Sequence, residues 1–222
     1  MRFLAWLRVH WIWLRTALAV CSIGLIVTPT LIARIDGVFY SPQMAPWAVS
    51  YVRVGEAIGG AIAVWSILTG LIVALTGYAI TEAQSAVYTL SLPIDRRTSL
   101  LHRAGSGLLW LFVPALGVFV GAHVALLGVV LPDHIEAYPF ALTLRAFLLM
   151  SYTFAITFAL RYAAGRRAPQ VFLLALFLFG AIGFFSATPT DAGAAVQRAL
   201  AWLVEPAGPL GIVTSRWTLI DV

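Results

Sequence analysis

Long apolar runs, with arginines gathered at their ends, leave this chain few ways to fold in water. Residues 16–33, 56–80, 105–131, 140–162 and 171–187 are each close to the roughly 20 residues that carry an α-helix across a hydrocarbon core. Hydrophobic residues make up 61% of the chain and charged residues 10%, and the mean hydropathy is +0.94. A water-soluble domain carries about 25% charged residues. The excess apolar surface must therefore face lipid, and the expected fold is an all-α polytopic transmembrane bundle.

Five or six spans consume most of the 222 residues. No stretch is left for a soluble catalytic or nucleotide-binding domain, so any ATPase driving this protein would be a separate chain. The net charge of +5 comes from arginines spread among the ends of the runs, not from one basic patch, and does not indicate nucleic-acid binding. The lone cysteine, Cys21, cannot form an intrachain disulfide. Arg8, His10 and Arg15 interrupt the N-terminal apolar residues, unlike the uninterrupted core of a cleaved signal. This segment is expected to be retained.

Residues 1–15 read as an interfacial helix, with Phe3, Leu4, Leu7, Trp11 and Leu14 at helical spacing and with arginines and tryptophans suited to the headgroup region. The competing reading is that they are the wet start of the first span. Pro114 is expected to kink the third span. Residues 188–222 form a tail of unassigned topology. Within it Ala194–Val204 is amphipathic, and no clear sixth span can be distinguished. Arg2, Arg8 and Arg15, then Arg96, Arg97 and Arg103, then Arg161, Arg166 and Arg167 occupy alternate connections. By the positive-inside bias this puts the N-terminus in the cytoplasm. Five spans would leave the C-terminus outside, and a sixth would return it.

The stretch Thr81–Arg103, TEAQSAVYTLSLPIDRRTSLLHR, lies between the second and third spans. Ala83, Ala86, Val87 and Leu90 fall at i, i+3, i+4 and i+7, one apolar face of a short helix. Pro93 stops that helix, and Asp95 can cap the next. Such a helix either anchors passively on the bilayer, within an ordinary basic loop, or offers a rigid handle to a soluble partner.

Glu82, a helical stretch, Thr89-Leu90-Ser91-Leu92-Pro93 and then Arg96 and Arg97 resemble the cytoplasmic coupling region of ABC-2 type transporter permeases. In layout the resemblance covers about residues 1–190; its motif covers about fifteen. Ala83–Val87 stands where family members carry a fuller glycine and acidic cluster, and family members usually have six spans. The resemblance implies a multi-pass permease subunit of the bacterial cytoplasmic (inner) membrane, moving a substrate outward. It implies pairing with a second permease chain and docking of an ABC ATP-binding subunit on Glu82, Leu90, Leu92, Pro93, Arg96 and Arg97. ATP and magnesium would then belong to that partner, with no cofactor in this chain. The alternative is a structural or assembly subunit of a larger membrane complex, the same loop docking a partner that is not an ATPase.

Three further residues are singled out. His123 is the only histidine well inside a span. A haem would usually need a second deep histidine, so a packing or pore role is the better reading. Glu56 and Arg145 sit near the outer ends of the second and fourth spans. They either close an outer gate as a pair or snorkel independently to the interface. Gly55–Gly59 and Gly117–Gly121 have the spacing that permits close helix packing, within the chain or between copies. No phosphate-binding loop, metal-ligand cluster or nucleophile motif is present, and chemistry within the chain is not expected.

Overall fold

The computed structural model describes residues 2–35, 48–88, 96–127, 129, 131, 135–167, 190–204 and 219–221, with short helical pieces at 170–171, 173–174, 177–178 and 181–182. The chain is all-α apart from one two-residue strand pair. Its elements are α1 (Arg2–Ile35), α2 (Ala48–Tyr88), α3 (Arg96–Trp110), α4 (Phe112–Leu126), β1 (Glu136–Ala137), α5 (Pro139–Ala164), a 3-10 turn over Gly165–Arg167, α6 (Asp191–Val204) and β2 (Ile220–Asp221). Four stretches of the described residues are long and apolar enough to cross a membrane: Leu14–Ile35, Arg53–Thr76, Arg97–Leu126 and Pro139–Ala164. The expected fifth span, 171–187, lies largely outside the described residues, as do 205–218 of the tail.

Two helices run further than expected. α1 is continuous from Arg2 to Ile35, with no break between an interfacial helix over 1–15 and the first span. α2 likewise continues from its span to Tyr88, so Glu82 sits on an extension of that span and not on a separate short helix. The reason is physical. Arg8, His10 and Glu82 interrupt hydropathy, but charged side chains do not break helical hydrogen bonding, and no proline lies at either junction. Hydropathy marks where a helix leaves the lipid, not where it ends.

Pro114 acts as expected on the third span. Without an amide N–H it cannot bond the carbonyl one turn back. The helix tightens at Leu111, whose N–H donates to the Leu108 carbonyl at 3.2 Å, and it resumes with Ala115 N–H to the Leu111 carbonyl at 3.2 Å. α3 and α4 are thus one span, interrupted at Leu111.

The chain divides into two compact units, Met1–Phe158 with Trp217–Val222, and Ala159–Arg216. In the first, Leu14, Leu18, Cys21 and Leu25 make a buried stripe along α1, and Val54, Ile58, Ile62 and Val73 make one along α2. Small residues set the helix spacing. A Cβ on Gly117 would stand 3.0 Å from the Ser22 carbonyl oxygen, one on Gly121 2.8 Å from that of Ile26, and one on Gly70 2.5 Å from that of Met150. Both Gly117 and Gly121 are therefore used within the chain, in the contact of α4 with α1. Two buried hydroxyls are satisfied in their own helix: Ser66 and Thr69 donate to the carbonyls of Ile62 and Trp65, each at 2.7 Å. This suits a surrounding without water. The outward faces are apolar, with Val20, Ile23, Val27, Val64, Leu116 and Val120 all exposed.

In the second unit α6 starts at a cap: Gly193 N–H donates to Thr190 Oγ1 at 3.1 Å, satisfying one of the open amides of the first turn.

Candidate functional site

Contacts in the first unit fix the direction and level of each helix. His10 of α1 meets Ser106 of α3. Further along, Ser22 and Ile26 lie against Gly117 and Gly121. α1 and the α3–α4 span therefore run parallel and in step. α2 and α5 are parallel to each other, with Gly59 beside Arg145 and Gly70 beside Met150. Gly107 packs against the Phe154 ring and joins the two pairs. His10, Ser106, Phe154 and Gly70 thus share one level, and Arg2, Arg8, Arg96, Arg97 and Arg103 gather at and beyond it.

Beyond this level the helices project unequally. Eighteen residues of α2, from Gly70 to Tyr88, rise about 27 Å at 1.5 Å each, against about 15 Å for α3 from Ser106 back to Arg96. Glu82 lies on this projection. Arg96 opens α3 and Arg97 is exposed on its first turn. Leu90, Leu92 and Pro93 lie outside the described residues.

A polar cluster ties α1 to α3 at the base of the projection. Ser106 Oγ donates to the Arg103 carbonyl at 3.0 Å. With its proton directed there, Ser106 is free to accept from His10 Nδ1–H. Trp110 Nε1 donates to the Leu7 carbonyl at 3.2 Å, and its ring lies 4.6 Å from that of Trp11. His10 is 3% exposed. Burial, and secondarily the Arg103 charge, push its pKa down to about 4. The pair ties α1 to α3. Sequence reading placed His10 near an interface but did not join it to Ser106, since nothing local links residues so far apart.

The opposite end is closed by the last residues of the chain. β2 pairs antiparallel with β1, Glu136 opposite Asp221 and Ala137 opposite Ile220. Tyr138 N–H donates to the Leu219 carbonyl at 2.8 Å. Leu219 and Ile220 are fully buried, and a Cβ on Gly55 would stand 3.1 Å from the Ile220 carbonyl oxygen. Gly55 of the Gly55–Gly59 pair therefore receives the C-terminal strand, and Gly59 faces the Arg145 guanidinium, 3.6 Å from where its Cβ would stand. Glu56, one turn earlier on α2, is exposed. Arg145 is half-buried. His123 is exposed on α4, with Nδ1 2.8 Å from the Phe119 carbonyl and its ring 4.2 Å from that of Phe119. It lies on the outward face of its helix, not inside the bundle.

Among the described residues no three His, Cys, Asp or Glu side chains gather as a metal site. No protein-family model, curated protein or solved structure matches the chain.

Proposed function

We propose that this chain is the permease subunit of an ABC-2-like exporter in a bacterial cytoplasmic membrane, moved by a separate ATPase that grips the Glu82–Arg97 segment. The observation that carries this reading is the unbroken run of α2 from its span into the projection. A push delivered near Glu82 would reach the membrane through one continuous helix, without a flexible joint to absorb it. The arginines gathered at that end favour the cytoplasmic side for it and for the N-terminus.

The strand pair supports five spans. α5 starts beside β1 and runs to the Arg-rich end, while β2 lies back beside β1. In this reading 171–187, long enough by its sequence to cross, returns the chain to that end. Five spans depart from the six usual in the family. That favours keeping a second reading, a non-transporting subunit of a larger complex whose partner docks on the same projection.

Co-purification separates the two. The permease reading expects an ATPase to be retained by the wild-type chain and lost when Leu90, Leu92 and Arg96 are replaced together by alanine, with export failing in parallel. Retention of a partner without ATPase activity, or unchanged export by the triple variant, would sink it.

A further inference from the structure

Arg8, Trp11, Ile12 and Arg15 lie at i, i+3, i+4 and i+7 on α1 and are all exposed. Leu14 and Leu18, on the flank of this stripe, are fully buried. Arg15 is the second residue of the membrane-crossing stretch Leu14–Ile35. It stands about 7 Å along the axis beyond the level of His10 and Ser106. A guanidinium facing lipid at this depth is costly unless it meets an anion.

α1, α3 and α4 contain no aspartate or glutamate. α2, which also packs against α1, carries Glu56 towards its opposite end and Glu82 on its projection; with Gly24 against Trp65, Glu82 lies about 12 Å along the axis from the level of Arg15. None of these helices therefore places a carboxylate at the level of Arg15. The two arginines are about 10 Å apart along the axis, and their long side chains can converge on one group at the level of Trp11. Trp11 is held there by its contact with Trp110, itself fixed by the bond to the Leu7 carbonyl. An indole so placed is suited to the boundary between headgroup and acyl chain.

We propose that this face of α1 binds the phosphate diester of an anionic phospholipid in the leaflet at the Arg-rich end. Guanidinium groups bind phosphate oxygens through paired N–H donors. A headgroup without an ammonium leaves the two positive charges unopposed by a third. The site stands whether or not the chain is a permease.

The test uses the purified full chain in detergent micelles, titrated with dioleoyl phosphatidylglycerol or dioleoyl phosphatidylcholine, with bound lipid counted by native mass spectrometry. The wild type is expected to prefer phosphatidylglycerol. Arg8→Gln and Arg15→Gln should each reduce that preference about fivefold, with unchanged elution and helix content. Arg97→Gln and Arg167→Gln, at exposed arginines elsewhere, should leave it intact. The proposal is overturned if the Arg8→Gln/Arg15→Gln double variant keeps the wild-type preference, or if the two control variants lose as much. It is also overturned if glycerol 3-phosphate displaces the lipid at equal concentration, which would make this a site for a free phosphate ester.

Discussion

His10 sits among arginines and tryptophans in a segment whose hydropathy is ragged, and its neighbours in sequence suggest a wet environment. The fold instead buries it against Ser106. Protonation would place a charge in that buried position beside Arg103, which explains the depression of its pKa from 6.5 to about 4. The sign of the stability effect follows. Between those two values the unfolded chain takes up a proton that the folded chain refuses. Stability from this site is full above pH 6.5 and is lost as pH falls toward 4, by roughly 3 kcal/mol in total. Thermal unfolding in micelles should show this loss in the wild type, and His10→Gln should not show it. Equal acid sensitivity in both would refute the assignment. The glycines are a contrasting case. Their spacing at Gly117 and Gly121 was legible as a close-packing signal, but only the three-dimensional contact with Ser22 and Ile26 shows which helix uses it.

At the scale of elements, the four membrane-crossing helices were legible because apolar length is a local property. So was the interruption before Pro114, which follows from a missing amide. The ends of α1 and α2 were not legible from hydropathy, since helical hydrogen bonds continue past the lipid boundary. The least legible element is β2. A two-residue strand has no periodicity to detect, and its partner β1 lies some eighty residues away. The strand pair is directly testable. Tyr138 and Leu219 form a hydrogen-bonded pair, so Ala137 and Ile220 are the adjacent, closer kind of pair, with side chains on one face. With Cys21 replaced by alanine, Ala137→Cys/Ile220→Cys should oxidise readily to a disulfide, read as protection from maleimide that reductant reverses. Ile220→Ala should cost about 2–5 kcal/mol as a fully buried truncation. Failure of the pair to oxidise, together with a neutral truncation, would mean that the strand does not close this end.

For the whole molecule, charge and strand pairing bear on the same question through independent physics. The arginine bias depends on the cost of moving charge across a membrane, whereas the β1–β2 register depends on backbone hydrogen bonds. The arginine bias puts residues 136–137 at the end opposite Arg96 and Arg97, and the register adds residues 220–221 to that end. Sequence alone left the side of the C-terminus open, because residues 188–222 contain no run that counts clearly as a span or clearly does not. Three single-cysteine variants in the Cys21→Ala background decide it: Glu136→Cys, Asp221→Cys and Thr98→Cys. A membrane-impermeant maleimide applied to intact cells should label the first two, which lie opposite one another in the sheet. Thr98→Cys, exposed on the first turn of α3, should label only after the membrane is opened. If Asp221→Cys labels with Thr98→Cys instead, the chain between α5 and β2 crosses an even number of times. The five-span topology would then fall and a six-span arrangement take its place.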